Sequence, residues 1–387
     1  MLIAGAGIGG LTAALAVARR GLPVILFEQA NQLEEVGAGI QLFPNATRVL
    51  TALGLAEALA PAIVSTDSVR LRVADSGRDI ATIPLSGYDA PYWVVHRADL
   101  QAVLLAAVEA TPGISVRLGT RVDGFDSGAD GVAVTTSGAT AGEQHGRALI
   151  GADGLWSRLR EALGRRSPAR FAGRTAWRAV VPAGEVGKSF LAPEVQLWLG
   201  TGGHIVHYPI RAGAAVNIVA ITTADWQSTQ WSTEADRTEV LTQFPRRLWA
   251  SEARELLAAP DRWQKWALYD RAPSIVRGRG PVTLIGDAAH PMLPFLAQGA
   301  AMAIEDAVVV ADALARAPDD PARAFRSYER ARMRRTARVQ RASRRNNFAY
   351  HLGGVGARIR DAMLSALGGE RLRARYDWIY RWRADAE

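Results

Sequence analysis

Three stretches of this chain hold residue types at spacings that suit chemistry. The strand-like run His204-Ile205-Val206-His207-Tyr208-Pro209-Ile210 alternates its side chains, so His204, Val206, Tyr208 and Ile210 share one face and His207 the other. At ~3.3 Å per residue, His204 and Tyr208 stand about 13 Å apart on one wall. A histidine near its ordinary pKa and a phenol suit proton transfer with a hydroxylated ring; a hydrogen-bonded structural pair is the other reading these residues leave open. Leu284 to Asp306, LIGDAAHPMLPFLAQGAAMAIED, ends an apolar strand in Gly286-Asp287, passes a Pro-punctuated loop and opens an Ala-rich helix at Gln298-Gly299. Asp287 sits where a strand hands over to a loop, a place for gripping a ligand. The helix start presents unpaired N–H groups and a partial positive charge. The third stretch is the N-terminus, where Gly5, Gly7 and Gly10 form G-x-G-x-x-G.

The elements that must position these residues follow from pattern. Residues 1–28 read strand, glycine loop, apolar helix to Arg20, second strand, with Glu28 at its end, 23 positions after Gly5. The first glycine allows the tight turn, the second lets a pyrophosphate approach the backbone, and the third lets helix and strand pack. Glu28 suits ribose hydroxyls, so a dinucleotide is expected here. Gly37 to Asn45 is a second glycine loop, either plain or lining that ligand. Residues 68–95 read as short strands around Ser76-Gly77 and Ser86-Gly87, and Arg97 to Val108 as a helix. On it Arg97 and Gln101 lie one turn apart, within reach of phosphate or ring edges, or simply on the surface. The apolar run Ala148-Leu149-Ile150 ends in Gly151-Ala152-Asp153-Gly154, with Ser157 and Arg160 opening a helix. This is a second resting place for phosphate or an ordinary turn with an N-cap serine. From Phe171 to Trp266 the pattern turns β-rich, and eight of the 11 Trp fall within 156–266, which suits a wall for a flat apolar ligand.

Composition narrows the field. With 387 residues, 49% of them hydrophobic, the chain can bury two interleaved domains. Zero Cys removes thiolate chemistry and disulfides and suits a cytoplasmic location. The uncharged first 18 residues lack a positive lead and carry the glycine motif, which argues against a signal peptide or membrane span. Because the first strand begins at Met1, a few upstream residues are expected to be missing. No H-E-x-x-H or other ligand-spaced cluster points to a metal. The net charge of +8 sits wholly in residues 316–345, where 11 Arg face Asp319, Asp320 and Glu329. A solvated face of one long helix explains it more simply than nucleic-acid binding, because the stretch offers little aromatic or base-reading character beyond Tyr328.

With the three glycine-associated sites in order, the chain resembles the single-component (group A) FAD-dependent aromatic hydroxylases related to p-hydroxybenzoate hydroxylase. HIVHYPIR, Trp266–Pro273 and the RYDWIYRW ending look closest to the branch of 3-hydroxybenzoate 6-hydroxylase, 6-hydroxynicotinate 3-monooxygenase and salicylate hydroxylase. The resemblance implies an α/β fold: a Rossmann-like FAD-binding domain (residues 1–70, 97–168 and 274–316) interleaved with a β-sheet substrate domain (71–96 and 169–273) and a helical C-terminus (317–387). It implies FAD held by Gly5, Gly7, Gly10, Glu28, Arg97, Gln101, Asp153, Gly154, Asp287, Pro294 and Gly299, with Asp287 on the ribityl chain and the helix at Gly299 near flavin N1. His290 to Pro294 are then expected under the flavin ring, and Phe295 and Gln298 toward the substrate.

The implied reaction uses NADH or NADPH and O2. A C4a-hydroperoxyflavin hydroxylates a small phenolic or N-heteroaromatic, carboxylated substrate, with His204 and Tyr208 acting on its hydroxyl. Arg174, Arg178 and Arg211 are equal candidates for a carboxylate anchor. A flavin-dependent epoxidase or oxidase of a secondary metabolite is the alternative within flavoenzymes; the Trp-x-Trp-x-Ile-Pro signature of flavin halogenases is absent. The expected protein is a monomer or homodimer that engages neither nucleic acid nor membrane.

Overall fold

Short apolar strands bounded by glycine build the first layer. In the computed structural model Val282–Leu284, Leu149–Gly151, Leu2–Ala4, Val24–Phe27 and Ile114–Arg117 pair in that order as an all-parallel five-stranded sheet. The three inner strands read as apolar runs because both faces are covered, whereas the two edge strands carry Thr283, Ser115 and Arg117. The helix Ile8–Ala18 is buried almost all round. It packs against Gly299–Arg316 and Arg97–Glu109, which explains its lack of a polar face. The structure describes all residues except 34–37, 129–130, 165–167, 225, 227, 229, 274–277 and 385–387. Gly37 of the second glycine loop and the expected boundary at 274 therefore lie outside the described residues.

The second layer is an eight-stranded sheet in the order Ser232–Asp236, Arg262–Asp270, Arg170–Pro182, Ala215–Thr223, Gly203–Ile210, Val195–Gly200, Ser68–Val73 and Asp79–Pro84. Every pairing is antiparallel except that of Val195–Gly200 with Ser68–Val73. One face packs Trp177, Trp198, Phe244 and Trp263 into an aromatic core. The strand Trp93–His96, paired with Gly39–Leu42 and Val64–Ser65, leads straight into the helix Arg97–Glu109. A smaller antiparallel sheet, Thr120–Gly128, Gly131–Gly138 and Gly142–Gly146, sits beside the parallel one.

Two long helices, Pro321–Tyr350 over 30 residues and Gly354–Ala374, and a short one, Asp377–Tyr380, close the structure. The reading of the Arg run as a solvated face needs correction. Arg323, Arg326, Arg330, Arg334, Arg338, Arg341 and Arg345 do form an exposed stripe, but the opposite face sinks charge into the core. Arg332, 2% exposed, holds Asp306 at 2.7 Å and Glu305 at 2.6 Å, and both carboxylates are fully buried. Arg335 adds two bonds of 2.7 Å to Glu305. Such ions are tolerated only when paired and hydrogen-bonded. Asp306 accordingly also accepts from the Gly286 N–H at 2.9 Å and bonds His290, while Glu305 accepts from Asn45 at 2.6 Å. The C-terminal aromatics cover the core: Trp382 lies against Arg332 and Arg335, and Tyr380 stacks on Phe43 at 4.9 Å. No helix among the described residues is long and apolar enough to cross a membrane.

Candidate active site

The first glycine loop divides its work among three positions. Gly5 has φ +101°, and a Cβ there would lie 2.5 Å from the Ala152 carbonyl oxygen. A Cβ on Gly10 would lie 1.8 Å from the Gly5 oxygen. These two glycines serve the chain itself. A Cβ on Gly7 would meet nothing within 4 Å, so space there is left for a ligand, beside a cavity of about 370 Å³ that Gly7 lines. Glu28 steadies the loop: its carboxylate accepts from the N–H groups of Ala6 at 2.7 Å and Ala30 at 2.9 Å. Gln101 donates to the Ala6 carbonyl at 3.0 Å. Both residues thus brace the backbone, and Glu28 keeps acceptor capacity for hydroxyls.

The other two motifs meet at the same cavity, lined by Gly154, Asp287 and Gly299. Asp153 does not line it. Its carboxylate accepts from Ser157 at 2.6 Å and from the Leu159 N–H at 3.2 Å, while Ser157 caps the helix Arg158–Ala162. Burial pushes the Asp153 carboxyl up, and these hydrogen bonds oppose the shift. Arg160 reaches across to the carbonyls of Ala288 and Ala289 at 2.9 and 2.8 Å, tying the second motif to the third. Asp287 is exposed to the cavity it lines, and the protein mass around that cavity raises its pKa, opposed by His290 and Arg97. Ala297, at φ +50°, turns the chain into the helix Gly299–Arg316. A left-handed non-glycine residue costs about 1–3 kcal/mol and clusters at functional sites; here it aims the helix start at the cavity.

The opposite wall is the strand Gly203–Ile210. His204, Val206 and Tyr208 line the cavity, while His207 turns away and packs edge-on against Phe190 at 5.3 Å. The expectation of a near-neutral His204 is overturned. Burial, then His351 and Arg174, drive its pKa well below the ordinary value, so it is a neutral imidazole. Burial raises the Tyr208 phenol, opposed by Arg178 and a hydrogen bond with Gln41, so the hydroxyl stays protonated. Gly39 is packed tightly against this wall: a Cβ would fall 2.6 Å from Tyr208 Cε2 and 2.8 Å from Asn217 Cγ.

Register brings Arg178 to the same wall. It pairs across to Val219, which pairs with Val206. Arg178 thus stands two strands, roughly 10 Å, from Val206 at ~4.8 Å per strand, level with the interval between His204 and Tyr208. It lines this cavity and an adjoining one of about 700 Å³, which shares Arg97, Asp287, Met292 and Pro294. No described residue accepts a hydrogen bond from Arg178, its Nε is sealed without a partner, and burial lowers its pKa. Arg174 is bound to Asn347 Oδ1 at 3.2 Å and the Gly202 carbonyl at 3.0 Å. Arg211 lies 3.4 Å from Asp99. The three arginines that the sequence left equal are therefore separated by their surroundings.

Other expectations land elsewhere. Pro294 and Leu293 line the cavity, but His290 is turned into the core against Asp306; the buried carboxylate draws it away from the place expected under the flavin. Phe295 is 4% exposed, stands behind His204 with ring centres 5.6 Å apart, and is not on the cavity wall. Gln298 is 1% exposed and bonds Asn45 at 3.1 Å. His351, which no local pattern marked, bonds His204 Nδ1 through its Nε2 at 2.8 Å. Among the described residues no cluster of three or more His, Asp or Glu gathers as a metal site.

Comparison with known proteins agrees with this architecture. The chain matches the family described as FAD binding domain over residues 1–346. It is 37% identical to 3-hydroxybenzoate 6-hydroxylase 1 of Aquipseudomonas alcaligenes, over 98% of this chain and 97% of that protein. It is 38% identical to the 3-amino-4-hydroxybenzoate 2-monooxygenase PtnB3 of Streptomyces platensis, covering 99% and 96%. Among solved structures, a salicylate hydroxylase substrate complex superposes with a TM-score of 0.84 at 26% identity, over 100% of this chain and 96% of that one. HpxO of Klebsiella pneumoniae with FAD and uric acid gives 0.85 at 26%, covering 97% and 95%. A dinucleotide cradle facing a protonatable sheet wall, in a chain so related throughout its length, belongs to the FAD binding domain family, among its single-component FAD-dependent aromatic hydroxylases.

Proposed function

We propose that this monooxygenase hydroxylates a small phenolic aromatic acid, and that Arg178 holds the carboxylate of that substrate. The observation that carries the reading is a half-buried guanidinium with no hydrogen-bond acceptor among the described residues, its Nε sealed, on the same wall as His204 and Tyr208. A half-buried cation without a partner is partly stripped of water, and an arriving carboxylate offsets that cost through a two-pronged ion pair. Relatives whose names specify hydroxybenzoates and an aminohydroxybenzoate support the same class. Gly7, Gly154, Asp287, Pro294 and Gly299 would line the FAD, with Glu28 available to its ribose hydroxyls and Arg97 beside it, while Gly5, Gly10, Gln101 and Asp153 shape the loops. Bound there, FAD would supply the redox chemistry by which NADH or NADPH and O2 give the hydroxylated ring, the oxidised nicotinamide and water. The protein's part is to orient the ring, exclude water and draw the proton from its hydroxyl toward His204, with Tyr208 as a neutral hydrogen-bonding partner.

A panel of hydroxybenzoates and hydroxypyridine carboxylates, scored for hydroxylated product rather than for NAD(P)H consumption, tests the reading. Arg178→Gln is expected to raise KM for the carboxylated substrate by at least about tenfold, since a charged hydrogen bond is worth about 1.5–3 kcal/mol, while leaving the decarboxylated phenol unaffected. An equal loss on both compounds would show that Arg178 serves the fold and not the carboxylate. Gly39→Ala is expected to keep FAD yet displace Tyr208, lowering product formed per NAD(P)H by up to about 10²-fold, the scale of a 1 Å misplacement. Unaltered coupling would remove Tyr208 from the mechanism.

A further inference from the structure

The orientation of His204 is set by a residue 147 positions later in the chain. His351 follows the helix Pro321–Tyr350 as its cap, and its Nδ1 lies 2.6 Å from the carbonyl oxygen of Asn347. That carbonyl belongs to the last helical turn, where C=O groups lack a partner within the helix. A carbonyl only accepts, so the proton of His351 must reside on Nδ1. Burial, with Arg174 next, lowers the His351 pKa to about 4, so at neutral pH its other nitrogen, Nε2, carries a lone pair. His204 Nδ1 lies 2.8 Å from that lone pair and must donate to it. His204 is then protonated on Nδ1 and bare on Nε2. No described residue bonds this Nε2, and it is not among the sealed polar atoms, so it opens on the cavity that His204 lines.

We infer that His351 is a positioning residue that holds His204 in its Nδ1–H tautomer, so that the nitrogen facing the cavity is a proton acceptor. Free imidazole in water favours the Nε2–H form, which would present a donor to the substrate hydroxyl and no base. Tyr350 and Phe295 hold the His204 ring from two sides, with ring centres at 5.4 and 5.6 Å. Arg174 disfavours a positive charge on either histidine, and Arg360 disfavours one on His351. The chain Asn347 C=O, His351, His204 therefore starts each turnover neutral and with one direction of donation. The inference rests on the reading of His204 as the group that takes the substrate proton.

Two-bond proton–nitrogen correlation spectra of the FAD-loaded enzyme with ¹⁵N-labelled histidine read the tautomer without turnover, His204→Ala supplying the assignment. His204 of the unaltered enzyme is expected to show a protonated Nδ1 and a bare Nε2. His351→Leu is expected to lose that pattern and to form at least about tenfold less product per NAD(P)H, a histidine base in the wrong tautomer losing as much as about 10⁴-fold. His351→Gln, whose amide oxygen accepts from Nδ1, is expected to restore both. A protonated Nε2 on His204 in the unaltered enzyme, or an unchanged pattern in His351→Leu, would overturn the inference. Unchanged coupling in His204→Ala would instead remove the acid–base role of His204 and leave the tautomer result standing.

Discussion

Replacing His204 by Ala is expected to leave a yellow, FAD-loaded protein that still oxidises NAD(P)H but hydroxylates ~10²–10⁴-fold less, the usual worth of a positioned acid–base group. FAD should stay because none of the three glycine loops touches His204 through the hydrogen bonds that shape them; its described partner is His351. The reduced enzyme would then spend its electrons on O2 without forming product. Tyr208→Phe is expected to do the same to a smaller extent, because the phenol remains protonated and contributes a hydrogen bond rather than a base. Stopped-flow absorbance of flavin reduction alongside product quantification separates the two steps. Full coupling in both variants would refute the assigned roles.

The second large effect lies away from the chemistry. Arg332→Met is expected to destabilise the protein by about 3–5 kcal/mol, the cost of removing one partner from a buried ion pair. Two fully buried carboxylates, Glu305 and Asp306, face Arg332, and Asp306 in turn holds the Gly286 N–H and His290. Acid should reveal the same network. Burial pushes the Asp306 carboxyl up, but His290, Arg332 and the Gly286 N–H outweigh it and leave the pKa at about 2. A carboxylate held below its unfolded value of about 3.9 contributes stability that is whole above that pH and is lost as the pH falls toward 2. Urea midpoints measured from pH 6 to 3 should therefore drop for the parent and drop less for Arg332→Met. Parallel curves would place the acid sensitivity elsewhere.

The legible parts of this molecule are those where local backbone geometry leaves one residue type. Gly5 and Gly10 cannot carry a Cβ, so the first loop is readable from spacing alone, and Gly299 opens its helix where pattern puts it. Strand alternation likewise sorts His204 from His207 correctly. What stays hidden depends on partners far away in the chain. Arg174, Arg178 and Arg211 look alike until the acceptors at residues 99, 202 and 347 are known. His351 has no periodic or motif signal, because its meaning comes from contact with His204. The Arg run looked solvated because Glu305 and Asp306 lie in an Ala-rich helix whose burial only the tertiary packing decides. The low pKa of His204 is hidden for the same reason: desolvation belongs to the fold, not the tripeptide.

The parallel sheet also has a temporal side. Its central strand is residues 2–4 and its edge strand residues 282–284, joined through 149–151. Pairings this remote in the chain form slowly, since long loops must close before any contact repays them. During synthesis the glycine loop emerges about 280 residues before Asp287 and Gly299, which complete its cavity. Until then the nascent chain carries an incomplete cradle and an unpaired strand edge. A ligand that binds only the completed cradle stabilises the folded chain by mass action, so added FAD is expected to raise the yield of folded protein.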